Sequence, residues 1–201
     1  MTVSVQSRSE RDALDVQAMA RICAGEDAAV AELYDRYAPV ALGLALKIVR
    51  DAQEAEDVVH DAFVAIVERA DQYRAERGTV VAWIVTTVRN LALDRTRRRT
   101  RRAQITEEEL RHEPLEPVMD PESLSWAVRE REAVRVALEK LSPSQRTTLE
   151  IAFFEGLSYP EIAEREGIPL GTVKSRAARA LAALRAALDG IDLPDAPSED
   201  A

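Results

Sequence analysis

Cysteine, histidine and aromatic residues are scarce in this chain of 201 residues. The single Cys23 excludes a disulfide framework. His60 and His112 stand alone, so no cluster has the ligand spacing of a zinc site, and we expect neither a metal nor another cofactor. Glycine is also rare, and the dominant residues Ala, Leu, Arg and Glu all favour helix. The composition therefore predicts an all-α protein.

An export signal and long hydrophobic runs are also missing. The first residues, MTVSVQSRSERDALD, are polar and lack the apolar segment of a signal peptide. The most apolar stretch, residues 38–49, is too short to span a bilayer and contains Lys47. We therefore expect a cytoplasmic protein without membrane insertion.

The side chains of an enzyme active site are not evident either. No nucleophile can be paired with a base and an orienting group, and no glycine-rich phosphate loop follows a strand. Cys23 lies in a predicted amphipathic helix, where a buried structural thiol is the simpler interpretation. The sequence favours a binding protein over an enzyme.

Residues typical of helix ends divide the first hundred residues into four helices. Gly25 ends an amphipathic stretch that begins near residue 11, and Asp27 is placed to cap the next helix. Pro39 is expected to kink or divide that second helix.

The third and fourth predicted helices carry opposite charges. Asp51 and Glu54 form a capping-box-like start for the third helix. Residues 71–78 then break the periodicity, and Thr79 can cap a fourth helix. The end of that fourth helix is densely basic, with seven arginines between residues 89 and 102.

A change of composition at residues 103–122 indicates a linker between two domains. The segment holds three prolines and seven acidic residues and has no clear apolar period. Asp120 and Pro121 can then start a helix that runs to about Leu141. The acidic residues 189–201 at the other end are expected to be a disordered tail.

Three helices are predicted after Leu141. Two of them begin with capping boxes, formed by Ser142 with Gln145 and by Ser158 with Glu161. Gly156 and Gly167 are placed to end these two helices, and the third runs from about Leu170 to Leu188. The last two helices have the spacing of a helix-turn-helix, with the small Ala163 where they would pack.

The last helix has one apolar face and one basic face. In a chain of net charge -9, residues 167–181 carry only positive charges. An α-helical period places these apolar residues on one side: Leu170, Val173, Ala177, Ala180, Leu181, Leu184 and Leu188. Thr172, Ser175 and Arg179 face away from it, with Lys174 and Arg176 at the flanks. Such a face suits a DNA groove, although a solvated face on an ordinary helical hairpin is the alternative.

Two segments of the first domain and one of the second carry a family resemblance. DAQEAEDVVHDAFVAIVERA and GTVVAWIVTTVRNLALDRTRRR resemble region 2 of the extracytoplasmic-function sigma factors, initiation subunits of bacterial RNA polymerase. LSPSQRTTLEIAFFEGLSYPEIAEREGIPLGTVKSRAARALAALR resembles their region 4. The resemblance implies region 2 over residues 1–102 and region 4 over residues 123–188.

The resemblance also implies three sets of contact residues. Those expected to bind the promoter -35 element are Thr172, Lys174, Ser175, Arg176 and Arg179. Those expected to bind the -10 element are Tyr73, Arg74, Arg77, Arg89, Asn90, Arg95, Arg98 and Arg99. Those expected to bind core polymerase are Asp51, Glu54, Asp57, His60 and Asp61.

Some of these residues have a purely structural alternative. Tyr73 can close a small core, and Trp83 is better explained as a buried residue than as a wedge between bases. The acidic residues of the third helix are also what a solvated helix face would carry.

The implied partners are promoter DNA, the clamp and flap regions of core RNA polymerase, and an anti-sigma factor. A self-sufficient helix-turn-helix regulator is the alternative function. Such a regulator would be expected to dimerise on a two-fold operator, yet the chain shows neither a heptad zipper nor an effector domain.

Overall fold

The computed structural model describes residues 8–106 and 134–187, which belong to two compact units. Every regular element within these two ranges is a helix. The predicted all-α class and the two helical domains are therefore confirmed.

The first unit is built from four long helices. They are α1 (Arg8–Cys23), α2 (Asp27–Val49), α3 (Ala52–Glu68) and α4 (Val80–Thr106). Two short 3₁₀ turns, Ala70–Gln72 and Ala75–Arg77, connect α3 to α4. Helix α2 packs against each of the other three, so its buried face forms the centre of the core. Leu33, Tyr37 and Ala41 lie on that face.

Side-chain caps fix the starts of α3 and α4 as the sequence predicts. The Asp51 carboxylate accepts a hydrogen bond from the Glu54 N–H at 2.8 Å, and the Thr79 hydroxyl accepts one from the Ala82 N–H at 3.3 Å. The prediction for α2 is wrong, because Asp27 is the first helical residue and Glu26 occupies the cap position. An acidic side chain in the first turn interacts favourably with the positive end of the helix dipole, even though it does not cap a backbone N–H.

Two further expectations for the first unit need correction. Of the two outcomes expected at Pro39, division of α2 is wrong, because the helix continues from Asp27 to Val49. Cys23 is exposed instead of buried, and it is the last residue of α1, directly before the turn at Gly25.

A buried polar cluster joins α1 to α2. The Asp15 carboxylate accepts hydrogen bonds from Arg36 and from the Tyr37 hydroxyl, and both Asp15 and Tyr37 are buried. Burial raises the pKa of Asp15, whereas the bonds from Tyr37 and Arg36 act in the opposite direction. Burial and the nearby carboxylate also raise the pKa of Tyr37. The donors therefore keep a desolvated carboxylate hydrogen-bonded inside the domain.

The described part of the second unit begins with helical residues 134–139, and three further helices follow. These are α5 (Pro143–Glu150), α6 (Tyr159–Glu166) and α7 (Leu170–Ala187), with a π-helical turn, Ile151–Glu155, directly after α5. The two predicted glycine ends are confirmed, since Gly156 and Gly167 have left-handed φ values of 67° and 64°.

Reciprocal contacts hold the starts of α5 and α6. The Gln145 side chain accepts from the Ser142 N–H at 2.9 Å, and the Ser142 hydroxyl accepts from the Gln145 N–H. The Glu161 carboxylate accepts from the Ser158 N–H at 2.7 Å. Both predicted capping boxes are present.

Some predictions fall on residues that the structure does not describe. Residues 107–122 of the predicted linker, the helix start at Asp120 and the tail 189–201 lie outside the described ranges. Residues 103–106, which the composition assigned to the linker, are the last residues of α4. Over the described ranges, none of the helices combines the length and apolar character needed to cross a bilayer.

The buried cluster gives a first prediction. Changing Tyr37 to Phe removes one donor from the buried Asp15 carboxylate, and we expect the free energy of unfolding to fall by about 1–3 kcal/mol. Urea unfolding followed by circular dichroism measures this. The exposed Tyr34 is the matched control, and its change to Phe should alter stability by less than about 0.5 kcal/mol. Equal stability of the two variants would contradict the role given to Tyr37.

Candidate nucleic-acid and polymerase interface

Helices α6 and α7 form the predicted helix-turn-helix. The left-handed Gly167 ends α6, and the Ile168 N–H returns to the Ala163 carbonyl at 3.1 Å. Val173 is fully buried and packs with Ile162 in the small core beneath the turn. The start of α7 is thereby fixed against α6.

The apolar face of α7 largely follows the prediction, whereas of the three residues predicted to face away from it only Arg179 is exposed. Val173, Ala177, Ala180 and Leu184 are buried, and the last two pack against Ala137 and Leu141. Leu170 is an exception, because it is the first residue of the helix and is 39% exposed instead of buried. Leu181 is half-buried, and Leu188 lies outside the described residues.

The predicted -35 contact residues lie along the outer part of α7. Lys174 and Arg179 are exposed, whereas Thr172, Ser175 and Arg176 are half-buried. The Ser175 hydroxyl donates to the Thr172 carbonyl at 3.0 Å, so it is held close to the helix. The two exposed cations are the side chains best placed to reach a phosphate or a base edge.

The loop between α3 and α4 presents an aromatic pair. The rings of Tyr73 and Trp83 are 5.6 Å apart between centroids and tilted by 31°. The Tyr73 hydroxyl donates to the Gly78 carbonyl at 3.1 Å, and both rings are half-buried. Gly78 has φ 144° and ψ 172°, a conformation that essentially only glycine adopts. Tyr73 thus closes the loop and still exposes part of its ring.

Two arginines of this loop are exposed. The Arg74 guanidinium donates to the backbone carbonyls of Asp71 and Tyr73, at 2.6 and 2.8 Å. Arg77 ends the second 3₁₀ turn. Both cations lie within a few residues of the aromatic pair.

The predicted DNA-contact residues of α4 differ in their exposure. Arg89 is half-buried, and this burial lowers the pKa of its guanidinium. Its Nη1 donates to the side chain of the exposed Asn90 at 3.3 Å. Arg98 is well exposed and pairs with Asp94 along the helix at 2.7 Å.

Arg95 connects the two predicted contact sets. Its Nη2 lies 2.8 Å from the Asp57 carboxylate, and its Nη1 lies 3.7 Å from that of Asp61. Asp57 and Asp61 were predicted to contact polymerase and Arg95 to contact DNA, yet the structure places all three side chains together. Helices α3 and α4 run antiparallel here, because Arg99 lies beside the earlier Glu54.

Arg99 lies where three helices meet. Its Nη1 is 3.3 Å from the Glu54 carboxylate of α3, and its Nη2 donates to the Val49 carbonyl at the end of α2 at 3.0 Å. Val49 is fully buried, so this bond satisfies one of the last carbonyls of α2. Arg99 therefore has a structural role whatever else it contacts.

The remaining predicted polymerase residues and several arginines lie on the surface. Asp51 caps α3, and His60 is exposed on the same helix. Sequence reasoning did not single out three exposed arginines of α4, namely Arg97, Arg101 and Arg102. What distinguishes Arg95 and Arg99 from these three is the acidic side chains that the packing of α3 brings beside them.

Comparison with known proteins identifies the two units. The family model for sigma-70 region 2 matches residues 33–102, and that for sigma-70 region 4 matches residues 131–184. The chain is 32% identical over 179 residues to the ECF RNA polymerase sigma factor SigK of Mycobacterium tuberculosis, covering 87% of this chain and 94% of SigK. It is 31% identical over 166 residues to the ECF sigma factor RpoE of Cereibacter sphaeroides, covering 80% and 86%.

A solved relative is SigE of Rhodobacter sphaeroides, determined in complex with the anti-sigma ChrR. It is 28% identical, with a TM-score of 0.44, and the match covers 87% of this chain and 98% of SigE.

The chain belongs to the extracytoplasmic-function (ECF) RNA polymerase sigma factors of the sigma-70 family. It is a transcription initiation factor that binds core RNA polymerase and promoter DNA. The family is one of initiation factors rather than enzymes, and this membership does not favour the alternative of a stand-alone regulator.

The contacts of Arg99 give a second prediction. Its change to Ala leaves the Val49 carbonyl and the Glu54 carboxylate without this partner, and we expect the free energy of unfolding to fall by about 1–3 kcal/mol. The exposed Arg101, two residues further along α4, is the control, and its change to Ala should cost less than about 0.5 kcal/mol. Thermal and urea unfolding of both variants provide the test. A purely DNA-binding Arg99 would leave stability at the level of the parent protein.

Proposed function

We propose that the two units divide promoter recognition, with α7 reading the -35 element. The observation that carries this proposal is the exposure of Lys174 and Arg179 on the helix whose opposite side holds the buried Val173 and Ala177. Arg and Lys suit guanine acceptors and phosphates, and Ser and Thr suit backbone or base contacts. The proposed contact set is Thr172, Lys174, Ser175, Arg176 and Arg179.

The -10 element is assigned to the loop after α3 and to the start and middle of α4. The ring of Tyr73, lying on Trp83, offers a surface on which an unstacked base can pack. The exposed cations that support this are Arg74, Arg77 and Arg98, and the proposed set also includes the exposed Asn90 and the half-buried Arg89. Arg95 and Arg99 complete the set, but each reaches DNA only in competition with an acidic residue of α3.

Helix α3 is proposed to contact the polymerase clamp. Asp51 and His60 are exposed, whereas Glu54, Asp57 and Asp61 share their carboxylates with arginines of α4. The second unit is proposed to contact the flap region.

The proposed functional division keeps the boundaries predicted from the sequence, although α4 itself extends to Thr106. Residues 1–102 act as region 2 and residues 123–188 as region 4, with residues 103–122 joining them and residues 189–201 following region 4. Membership of the family makes an anti-sigma factor a further proposed partner and the cytoplasm the proposed location.

Run-off transcription over a promoter library tests the proposal directly. Purified core polymerase with and without the protein is incubated with the library, and the templates transcribed are sequenced. We expect transcripts only with the protein present, from templates that share a -35 and a -10 sequence. Initiation that does not depend on either element would contradict the assignment of the two units.

The exposed cations of α7 give a third prediction. Arg179→Ala and Lys174→Ala should each weaken promoter binding by about 1–3 kcal/mol and relax the preference at the -35 element. Competition binding of the holoenzyme to promoters with single -35 substitutions measures both effects. Arg185→Ala, at an exposed position in the last turn of the same helix, is the control. A uniform loss over all sequences would mean phosphate contact, and no loss would refute the groove assignment.

Tyr73 gives a fourth prediction, because its ring and its hydroxyl can be separated. Tyr73→Phe keeps the ring on Trp83 and loses the bond to Gly78, whereas Tyr73→Ala also loses the stacking surface, which is worth about 1–3 kcal/mol per base. Permanganate footprinting should show reduced strand opening at the -10 element for the Ala variant only, with core affinity unchanged. If strand opening is unchanged while stability falls, Tyr73 is a core residue.

A further inference from the structure

The ion pairs between α3 and α4 place carboxylates beside arginines of a helix assigned to DNA. Arg95 has Asp57 at 2.8 Å on one side and Asp61 at 3.7 Å on the other. A carboxylate and a phosphate oxygen bind a guanidinium through the same N–H groups, so the two anions compete for one site.

The exposure of these side chains makes exchange between the anions possible. Arg95 is 34% exposed, Asp57 48% and Asp61 61%. Ion pairs this open to water are weak, because water screens them and two long side chains must be held in one geometry. A phosphate approaching Arg95 would also be repelled by two carboxylates close to the same guanidinium.

Arg99 differs from Arg95 in this respect. Its side chain is 25% exposed and its guanidinium also donates to the Val49 carbonyl, so its position depends on the fold as well as on Glu54. Carboxylate and phosphate therefore compete mainly for Arg95, because both ion-pair partners of Arg95 are acidic side chains that are open to water.

We propose that Asp57 and Asp61 are internal competitors for phosphate, which occupy Arg95 in the free protein and so lower its affinity for DNA. This inference rests on the proposed assignment of α4 to DNA. It adds that two acidic residues of α3 regulate the strength of that contact. Any partner that binds these two carboxylates would release Arg95 for DNA.

Fluorescence anisotropy of the full-length free protein with a short labelled single-stranded oligonucleotide tests the proposal. For Asp57→Asn we expect binding tighter by about two- to fivefold, the strength of an exposed ion pair. One additional phosphate contact should also make the dependence of log affinity on log salt steeper by about 0.7 for a single strand, measured between about 50 and 200 mM salt. Asp61→Asn should act in the same direction with a smaller effect, because its carboxylate is further from Arg95.

The control removes the same charge from another place in the same unit. Asp35 is exposed on α2, and Asp35→Asn changes the net charge of the protein by the same amount as Asp57→Asn. A gain equal to that of Asp57→Asn would overturn the proposal, because net charge alone would explain it. No gain from either Asp57→Asn or Asp61→Asn, with melting temperatures unchanged, would overturn it as well.

A double-mutant cycle separates this inference from the assignment on which it rests. The gain from Asp57→Asn should vanish when Arg95 is changed to Ala, and a gain that persists in that background overturns the inference. If Arg95→Ala and Arg98→Ala leave DNA affinity unchanged, the assignment of α4 to DNA fails instead. If Asp57→Asn lowers the melting temperature, the same cycle is measured with Asp61→Asn, whose gain in DNA affinity should also vanish when Arg95 is changed to Ala.

Discussion

One guanidinium, that of Arg99, connects α4 to both α2 and α3 in the first unit. It joins the end of α2 at the Val49 carbonyl to the start of α3 at Glu54, on opposite sides of the short turn between those helices. The basic helix therefore cannot shift along its axis without breaking both contacts. The arginines on either side of Arg99 belong to the helix that these two contacts hold against α2 and α3.

The sequence predicts the starts of helices best, because a capping side chain bonds to a backbone group only a few residues away. Asp51, Thr79 and the capping boxes at Ser142 and Ser158 each act within four residues of the chain. Two predictions about helix ends were nevertheless wrong. Asp27 is a favourable first-turn residue but not a cap, and Leu170 has the apolar period of α7 but precedes the part of the helix that is covered.

The sequence predicts which side of α7 is buried, but it does not predict which side chains pair between helices. The α-helical period separates Lys174 and Arg179 from Val173 without any knowledge of the tertiary structure. Pairing of Arg95 with Asp57 instead depends on which helices are neighbours, on their antiparallel direction and on their register. The same limit applies to Asp15 and Tyr37, which are distant in sequence and meet only in the packed domain.

The π-helical turn after α5 bears on how this chain can change in length. A π turn holds one more residue than the α-helical turn it replaces, and the left-handed Gly156 directly follows Ile151–Glu155. Loss of one residue from this turn would restore ordinary helical winding while the capping box at Ser142 and the glycine end remain. A deletion of one residue within this turn is therefore expected to leave the helix-turn-helix of this chain in place.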